Sequence, residues 1–104
     1  MVEIKTISTS EVEKALDQGK QLHLIDVRED YEVAYGMIPG AVQIRMNEIP
    51  AHLEKLDEDK EYIIVCAAGV RSEMVCRYLL ENGFKAINME GGMYSWSGEI
   101  EINL

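Results

Sequence analysis

The sequence predicts a three-layer α/β/α fold, a five-stranded parallel sheet with helices on both faces. Short, densely apolar runs such as Leu22 to Val27 and Tyr62 to Val65 alternate with longer stretches of helical periodicity. Gly or Pro punctuates most junctions: Gly19, Gly36, Pro39-Gly40, Gly83 and Gly91-Gly92. With 104 residues, 47% of them hydrophobic and only 2 Pro, the chain has material for one core and one domain spanning residues 1–104.

The elements follow in order. Ile4 to Ile7 reads as a strand. Ser8 and Glu11 have capping-box spacing, and Val12, Ala15 and Leu16 make a helical stripe closed by Gly19. Leu22 to Val27 is a buried strand, Glu29 to Tyr35 a short helix ended by Gly36, and Ala41 to Ile44 a third strand. Ile49, Leu53 and Leu56 share one helical face, with Pro50 tolerated in the first turn. Tyr62 to Val65 is the fourth strand. Arg71 to Asn82 carries Val75, Cys76, Leu79 and Leu80 as an apolar stripe before Gly83. Lys85 to Met89 is the fifth strand, followed by Gly91-Gly92 and a segment containing Trp96.

Composition excludes several classes of partner. The formal net charge is −9 and the Lys and Arg residues are scattered, so neither nucleic acid nor an anionic membrane is expected. Asp57 to Glu61 reads as a solvated turn. No apolar stretch approaches the ~20 residues of a membrane span. Residues 1–10 lack a basic start and an apolar centre, so a cytoplasmic location is expected. Two Cys in such a chain argue against a disulfide framework.

Ligands of parallel sheets bind at the carboxyl ends of the strands. Three junctions converge there: Asp26-Val27-Arg28, the segment from Cys66 to Arg71, and Glu90-Gly91-Gly92. Cys66 ends the most hydrophobic strand and leads through Ala67-Ala68-Gly69-Val70-Arg71 into a helix. Its sulfur is therefore expected to face backbone N–H groups and the positive end of that helix. These groups and a nearby Arg71 favour a thiolate, with a pKa below the free value of about 8.5. The small residues Ala67, Ala68 and Gly69 let the backbone curl into an anion cradle.

Leu24-Ile25-Asp26-Val27-Arg28-Glu29, Glu32 and Gly36-Met37-Ile38-Pro39-Gly40-Ala41 resemble the paired signatures of the rhodanese domain family. Cys66-Ala67-Ala68-Gly69-Val70-Arg71-Ser72 is similar to that family's active-site loop, and Gly91-Gly92 with Trp96 to its C-terminal motif. The resemblance covers almost the whole chain. It implies a rhodanese-like fold and sulfurtransferase chemistry. Cys66 would take the outer sulfur of a donor (thiosulfate, polysulfide or a persulfide), hold it as a persulfide, and pass it to cyanide, a thiol or a protein Cys. Amides of residues 67–71 would stabilise the anion. Two departures stand out: Met37 where the family often has His, and Ala67 where thiosulfate-using members often carry a basic residue. Ala67 weakens the expectation for thiosulfate as donor.

Alternative readings are a persulfide relay or binding module for a partner protein, and a cysteine phosphatase or arsenate reductase. The last two usually place Arg six positions after the Cys. Here Arg71 stands five after and Ser72 six, and the shorter loop suits one sulfur atom. Cys76 reads as core, since it would lie ~9 Å along the helix axis from Cys66, beyond disulfide reach of about 7 Å. Two Cys and two His (His23 and His52) without paired short spacing make a poor zinc site, and no metal or cofactor is expected. Either Asp26 or Glu32 is expected to brace Arg71. Arg28 and Arg45 are read as charges rimming the pocket or lying on the surface, and Trp96 as packing.

Overall fold

The computed structural model describes residues 3–102. Residues 1, 2, 103 and 104 of the expected 1–104 span lie outside the described residues. Five strands form one parallel sheet: β1 (Lys5–Ile7), β2 (His23–Asp26), β3 (Val42–Gln43), β4 (Glu61–Val65) and β5 (Lys85–Met89), in the order β1-β5-β4-β2-β3. Helices α1 (Thr9–Asp17), α2 (Asp30–Val33), α3 (Ile49–His52) and α4 (Val70–Glu81) connect them. The expected sheet and its alternation with helices are present.

Strand alternation divides the core in two. Tyr62 and Ile64 of β4, with Cys66 just after it, join the cluster that holds Val75, Cys76 and Leu79 of α4. Ile63 and Val65 point the other way, into a cluster with Val12 of α1, Leu24, Ile87 and Met89, against which Leu16, Met93 and Trp96 pack. Both faces of the central strands are thus covered, which is why they read as continuous apolar runs. Parity on β4 also decides that Cys66 emerges on the α4 face, beside that helix's first turn.

The first helix begins as its sequence requires. Ser8 Oγ accepts from the Glu11 amide, and the Glu11 carboxylate accepts from the Ser8 amide, each at 3.1 Å.

Three expectations were too regular. The helix expected from Glu29 to Tyr35 is only Asp30–Val33. The stretch bearing Ile49, Leu53 and Leu56 is not one helix but α3 between two 3-10 turns, Met46–Glu48 and Leu53–Lys55. Pro50 lacks a backbone N–H to extend a longer helix. Finally, residues 41 and 44 lie outside β3, and Ile4 outside β1.

Candidate active site: the Cys66 loop

Cys66 follows β4 directly, and the chain needs only residues 66–69 to turn into α4. Gly69 makes that turn possible. It is the residue before α4 and has φ +97°, a left-handed conformation that costs a side-chain-bearing residue roughly 1–2 kcal/mol. The turn aims donors at the sulfur: the Gly69 amide at 3.0 Å and the Ser72 amide at 3.3 Å from Sγ. Ser72 lies in the first turn of α4, where amides have no intrahelical partner. The Ser72 hydroxyl stands 3.2 Å from the same sulfur.

Cys66 is 1% exposed. Burial pushes the thiol pKa up. The Ser72 hydroxyl and the amides of Ser72, Gly69 and Ala68 push it down by more, so the net shift is downward. The sulfur is thus prepared to carry negative charge chiefly by dipoles.

The third junction locks the loop from above. Met93 donates its amide to Cys66 O at 2.8 Å and Tyr94 to Ala67 O at 2.9 Å. Gly92, at φ +58°, passes so close that a Cβ there would collide with Cys66 O. Gly92 therefore reflects a backbone-on-backbone contact between two strand ends, whereas a Cβ at Gly91 would meet the Ser95 side chain.

Arg71 is held by a carboxylate. Its two terminal nitrogens grip Glu32 on α2, Nη1 to Oε1 and Nη2 to Oε2, both at 2.7 Å. This fork holds the Glu32 carboxyl down at about 2 and keeps Arg71 firmly protonated. Of the two expected braces, Glu32 makes the contact and Asp26 does not. Asp26 is buried and pairs with Arg28, whose Nη2 reaches Asp26 Oδ2 at 2.9 Å and Gly36 O at 2.8 Å. Arg28 does line the groove beside the loop, as one of its two expected readings had it, and only the surface reading is corrected. It is a buried, paired group that pins the Gly36 turn to the end of β2, with no free charge to offer an anion.

For Arg45 the surface reading holds. Its side chain binds Glu48 at 3.0 Å and lies 3.7 Å from Asp30, away from the residues lining the groove beside the loop.

That groove has a volume near 690 Å³. Ala67 contributes to its floor, and exposed Tyr31, Tyr35 and Tyr94 stand around it with Trp96 and Ile100. Trp96 both packs on the α1-side core and lines this groove. Val70, by contrast, is exposed at the start of α4.

Fold, loop and glycine contacts agree with a direct comparison. Residues 8–99 match the family model described as "Rhodanese-like domain". This chain belongs to the rhodanese-like domain family.

"Putative sulfurtransferase YtwF" of Bacillus subtilis (strain 168) is 56% identical, covering 94% of this chain and 95% of that protein. A "Sulfurtransferase" of Allochromatium vinosum is 32% identical, covering 90% and 89%. The crystal structure of a rhodanese-like domain protein from Staphylococcus aureus superposes with a TM-score of 0.91 at 44% identity, covering 97% of this chain and all of that one.

The remaining candidates of this rhodanese-like domain lie away from the loop or support it. Cys76 is a free, fully buried thiol whose burial pushes it up to about 12. His23 meets the Tyr62 ring edge-on at 6.0 Å, and His52 Nδ1 contacts Glu48 O. Among the described residues, no group of three His, Cys, Asp or Glu side chains stands ready to hold a metal ion. None of the described helices is long and apolar enough to cross a membrane.

Sequence reading missed two polar residues of the site: Ser72, which touches Cys66 Sγ, and Asn88, which bonds Ser72 and Gly69. Ser72 enters the sequence reading as the last residue of the loop and the sixth position after Cys66, with no role at the sulfur. Asn88 was not singled out, although it interrupts an otherwise apolar stretch between Ile87 and Met89. A lone amide in a buried strand needs hydrogen-bonding partners, and that was the available signal.

Proposed function

We propose that this chain is a sulfurtransferase whose Cys66 carries a sulfane sulfur as a persulfide. The observation that carries the reading is the pair of amide donors, with the Ser72 hydroxyl beside them, around a buried sulfur at the start of α4. In the reaction, the Cys66 thiolate attacks the outer sulfur of the donor. A bond forms between the two sulfurs, and the bond from the outer sulfur to the rest of the donor breaks. The leaving group, sulfite from thiosulfate or a thiolate from a persulfide, departs with the electron pair. A nucleophilic acceptor (cyanide in vitro, a thiol or a protein Cys in the cell) then attacks the outer sulfur and frees the Cys66 thiolate. Amides of residues 67–71 hold the anion in the loaded state.

Two features weigh against hydrolysis of a phosphate or reduction of an arsenate. Arg71 is committed to Glu32, so it offers no fork of donors to a tetrahedral oxyanion. The loop also closes on one sulfur atom.

A second reading is favoured by the groove. At about 690 Å³ it far exceeds a five-atom anion, which displaces only a few waters of about 30 Å³ each. Both arginines lining or flanking it are paired, and its rim is aromatic. These properties suit a persulfide or acceptor thiol borne on a larger molecule, which makes the domain a relay between protein or low-molecular-weight thiols.

The test is intact mass after incubation with thiosulfate or polysulfide. Wild type and Cys76→Ser should each gain one sulfur atom and Cys66→Ser none. A persulfide mapped to Cys76 would overturn the assignment. A stable persulfide without thiosulfate-to-cyanide turnover would favour the relay.

A further inference from the structure

Asn88 is 5% exposed, on the β5 face that also carries Ala86. Its Nδ2 donates to Gly69 O at 3.2 Å. A carbonyl only accepts, so this bond sets the orientation of the amide and leaves Oδ1 facing the Ser72 hydroxyl, which hydrogen-bonds to it. That hydroxyl has one proton and also touches Cys66 Sγ. While Cys66 is a thiol, every group is satisfied: S–H donates to Ser72 Oγ, and Ser72 donates to Asn88. Once Cys66 ionises, two acceptors compete for a single proton. If Ser72 keeps facing Asn88, its lone pairs oppose the thiolate. If it turns to the sulfur, Asn88 Oδ1 is left buried without a donor, which costs the desolvation of an unmade hydrogen bond.

We propose that Asn88 is a positioning residue that competes with the Cys66 thiolate for the Ser72 proton and so weights the site toward its sulfur-loaded form. In a persulfide the charge moves to the outer sulfur and Sγ becomes a neutral, weak acceptor. The Ser72 proton then returns to Asn88 and the conflict disappears. Asn88 therefore penalises the empty thiolate and not the loaded state. The consequence for loading rests on the sulfurtransferase reading, whereas the competition for the proton does not.

Other groups around the sulfur are Arg71, occupied by Glu32, and Cys76, whose thiol burial pushes up to about 12. Glu73, Arg77 and Glu90 border Asn88 across a shallow cleft, with Glu73 and Arg77 paired at 3.6 Å. All are common to every variant below.

The experiment is the pH dependence of Cys66 alkylation by iodoacetamide, with the modified site mapped by peptide mass. Asn88→Leu removes the competing acceptor, and Gly69 O keeps the Glu73 amide as a donor at 3.3 Å. Its apparent Cys66 pKa should fall by roughly one pH unit, about a tenfold larger acid dissociation constant. Asn88→Asp keeps an acceptor whether ionised or protonated, so its value should equal or exceed that of wild type. A merely structural role would move both variants the same way. In a Ser72→Ala background, Asn88→Leu should have no further effect.

An unchanged or higher value in folded Asn88→Leu, or a fall that survives in Ser72→Ala, would overturn the proposal. If Asn88→Leu does not fold, Asn88→Ala removes the same acceptor without added bulk, and a value below wild type in Asn88→Asp is decisive against it. At fixed thiosulfate and sulfite, the persulfide-to-thiolate ratio should drop about tenfold in Asn88→Leu. An unchanged ratio refutes the weighting toward the loaded form. A wild type that never loads refutes the sulfurtransferase reading, while alkylation still decides the proton competition.

Discussion

Replacing Glu32 by Gln removes the charge that grips Arg71 but keeps the side chain's shape. The ion pair is bidentate and joins α2 to the start of α4, elements 39 residues apart in the chain. Its hydrogen bonds to Arg71 bring the Glu32 carboxyl from its ordinary value of 4.5 to about 2. At about 1.36 kcal/mol for each pH unit, that difference bounds the pair's contribution at roughly 3.4 kcal/mol. The Arg71 side chain is 33% exposed and Glu32 17%, so solvent screening cuts this to about 1–2 kcal/mol. For a domain of this size, Glu32→Gln should lower the melting temperature by roughly 5–15 °C at pH 7.

The sign of the pH dependence follows from the direction of the shift. The folded-state value is depressed, so the stabilisation is complete above the unfolded value of 4.5 and is lost as pH falls toward about 2. The gap between wild type and Glu32→Gln should be full at about pH 5.5, near half at about pH 3.3, and gone near pH 2. Urea denaturation of both proteins across that range measures it, provided the m-values agree. A gap that stays constant with pH would show that Gln costs stability through lost packing. No gap at pH 7 would show that Arg71 holds its place without Glu32.

Two further outcomes test the neighbours of the loop. Gly92→Ala puts a Cβ against Cys66 O at a positive φ, so it should cost at least about 2 kcal/mol by denaturation and depress Cys66 alkylation; wild-type stability would mean that the close approach relaxes freely. Ala67→Arg should raise kcat/KM for thiosulfate about fivefold, because one cation ~6 Å from a dianion at an open mouth contributes on the order of 1 kcal/mol. Moderate salt should help wild type more than this variant, and a wild type that slows with salt would refute the electrostatic argument.

Much of the fold was readable because its two periodicities are separate in the chain. Tyr62 to Val65 is apolar on both faces, and Val75, Cys76 and Leu79 repeat at helical spacing, so sheet and covering helix announce themselves. The stretch around Pro50 misled because Ile49, Leu53 and Leu56 keep helical spacing while the backbone runs through separate turns. The antiparallel bridge of Met37 with Glu101 has no local pattern, since a single residue pair produces none.

At the site, Cys66 and its loop were legible because their residue types act through their own backbone. Which carboxylate meets Arg71 was not. Asp26 and Glu32 lie at the same edge, and only the fold shows that Arg28, two residues from Asp26, occupies that carboxylate. Ser72 was hidden as an ordinary polar residue of a helix's first turn.

The electrostatics of the site then form one arrangement. Arg28 is balanced by Asp26 and Arg71 by Glu32, so the ions near the loop cancel in pairs. What remains at Sγ is a set of dipoles fixed by covalent geometry and by the contact of Gly92 with Cys66 O. Buried dipoles are barely affected by salt, whereas a dianion crossing the mouth of a chain with net charge −9 is strongly affected. In the proposed reaction, holding the sulfur and delivering it would therefore be under separate control. The amide ring would stabilise an anionic sulfur whatever molecule brought it, and the tyrosine-rimmed groove, whose Arg28 and Glu32 are each paired, would decide which molecule arrives. On this reasoning, changes around Tyr31, Tyr35 and Tyr94 should alter which donors load Cys66 while leaving the thiolate's own ionisation in place. Changes at Ser72 or Asn88 should do the reverse.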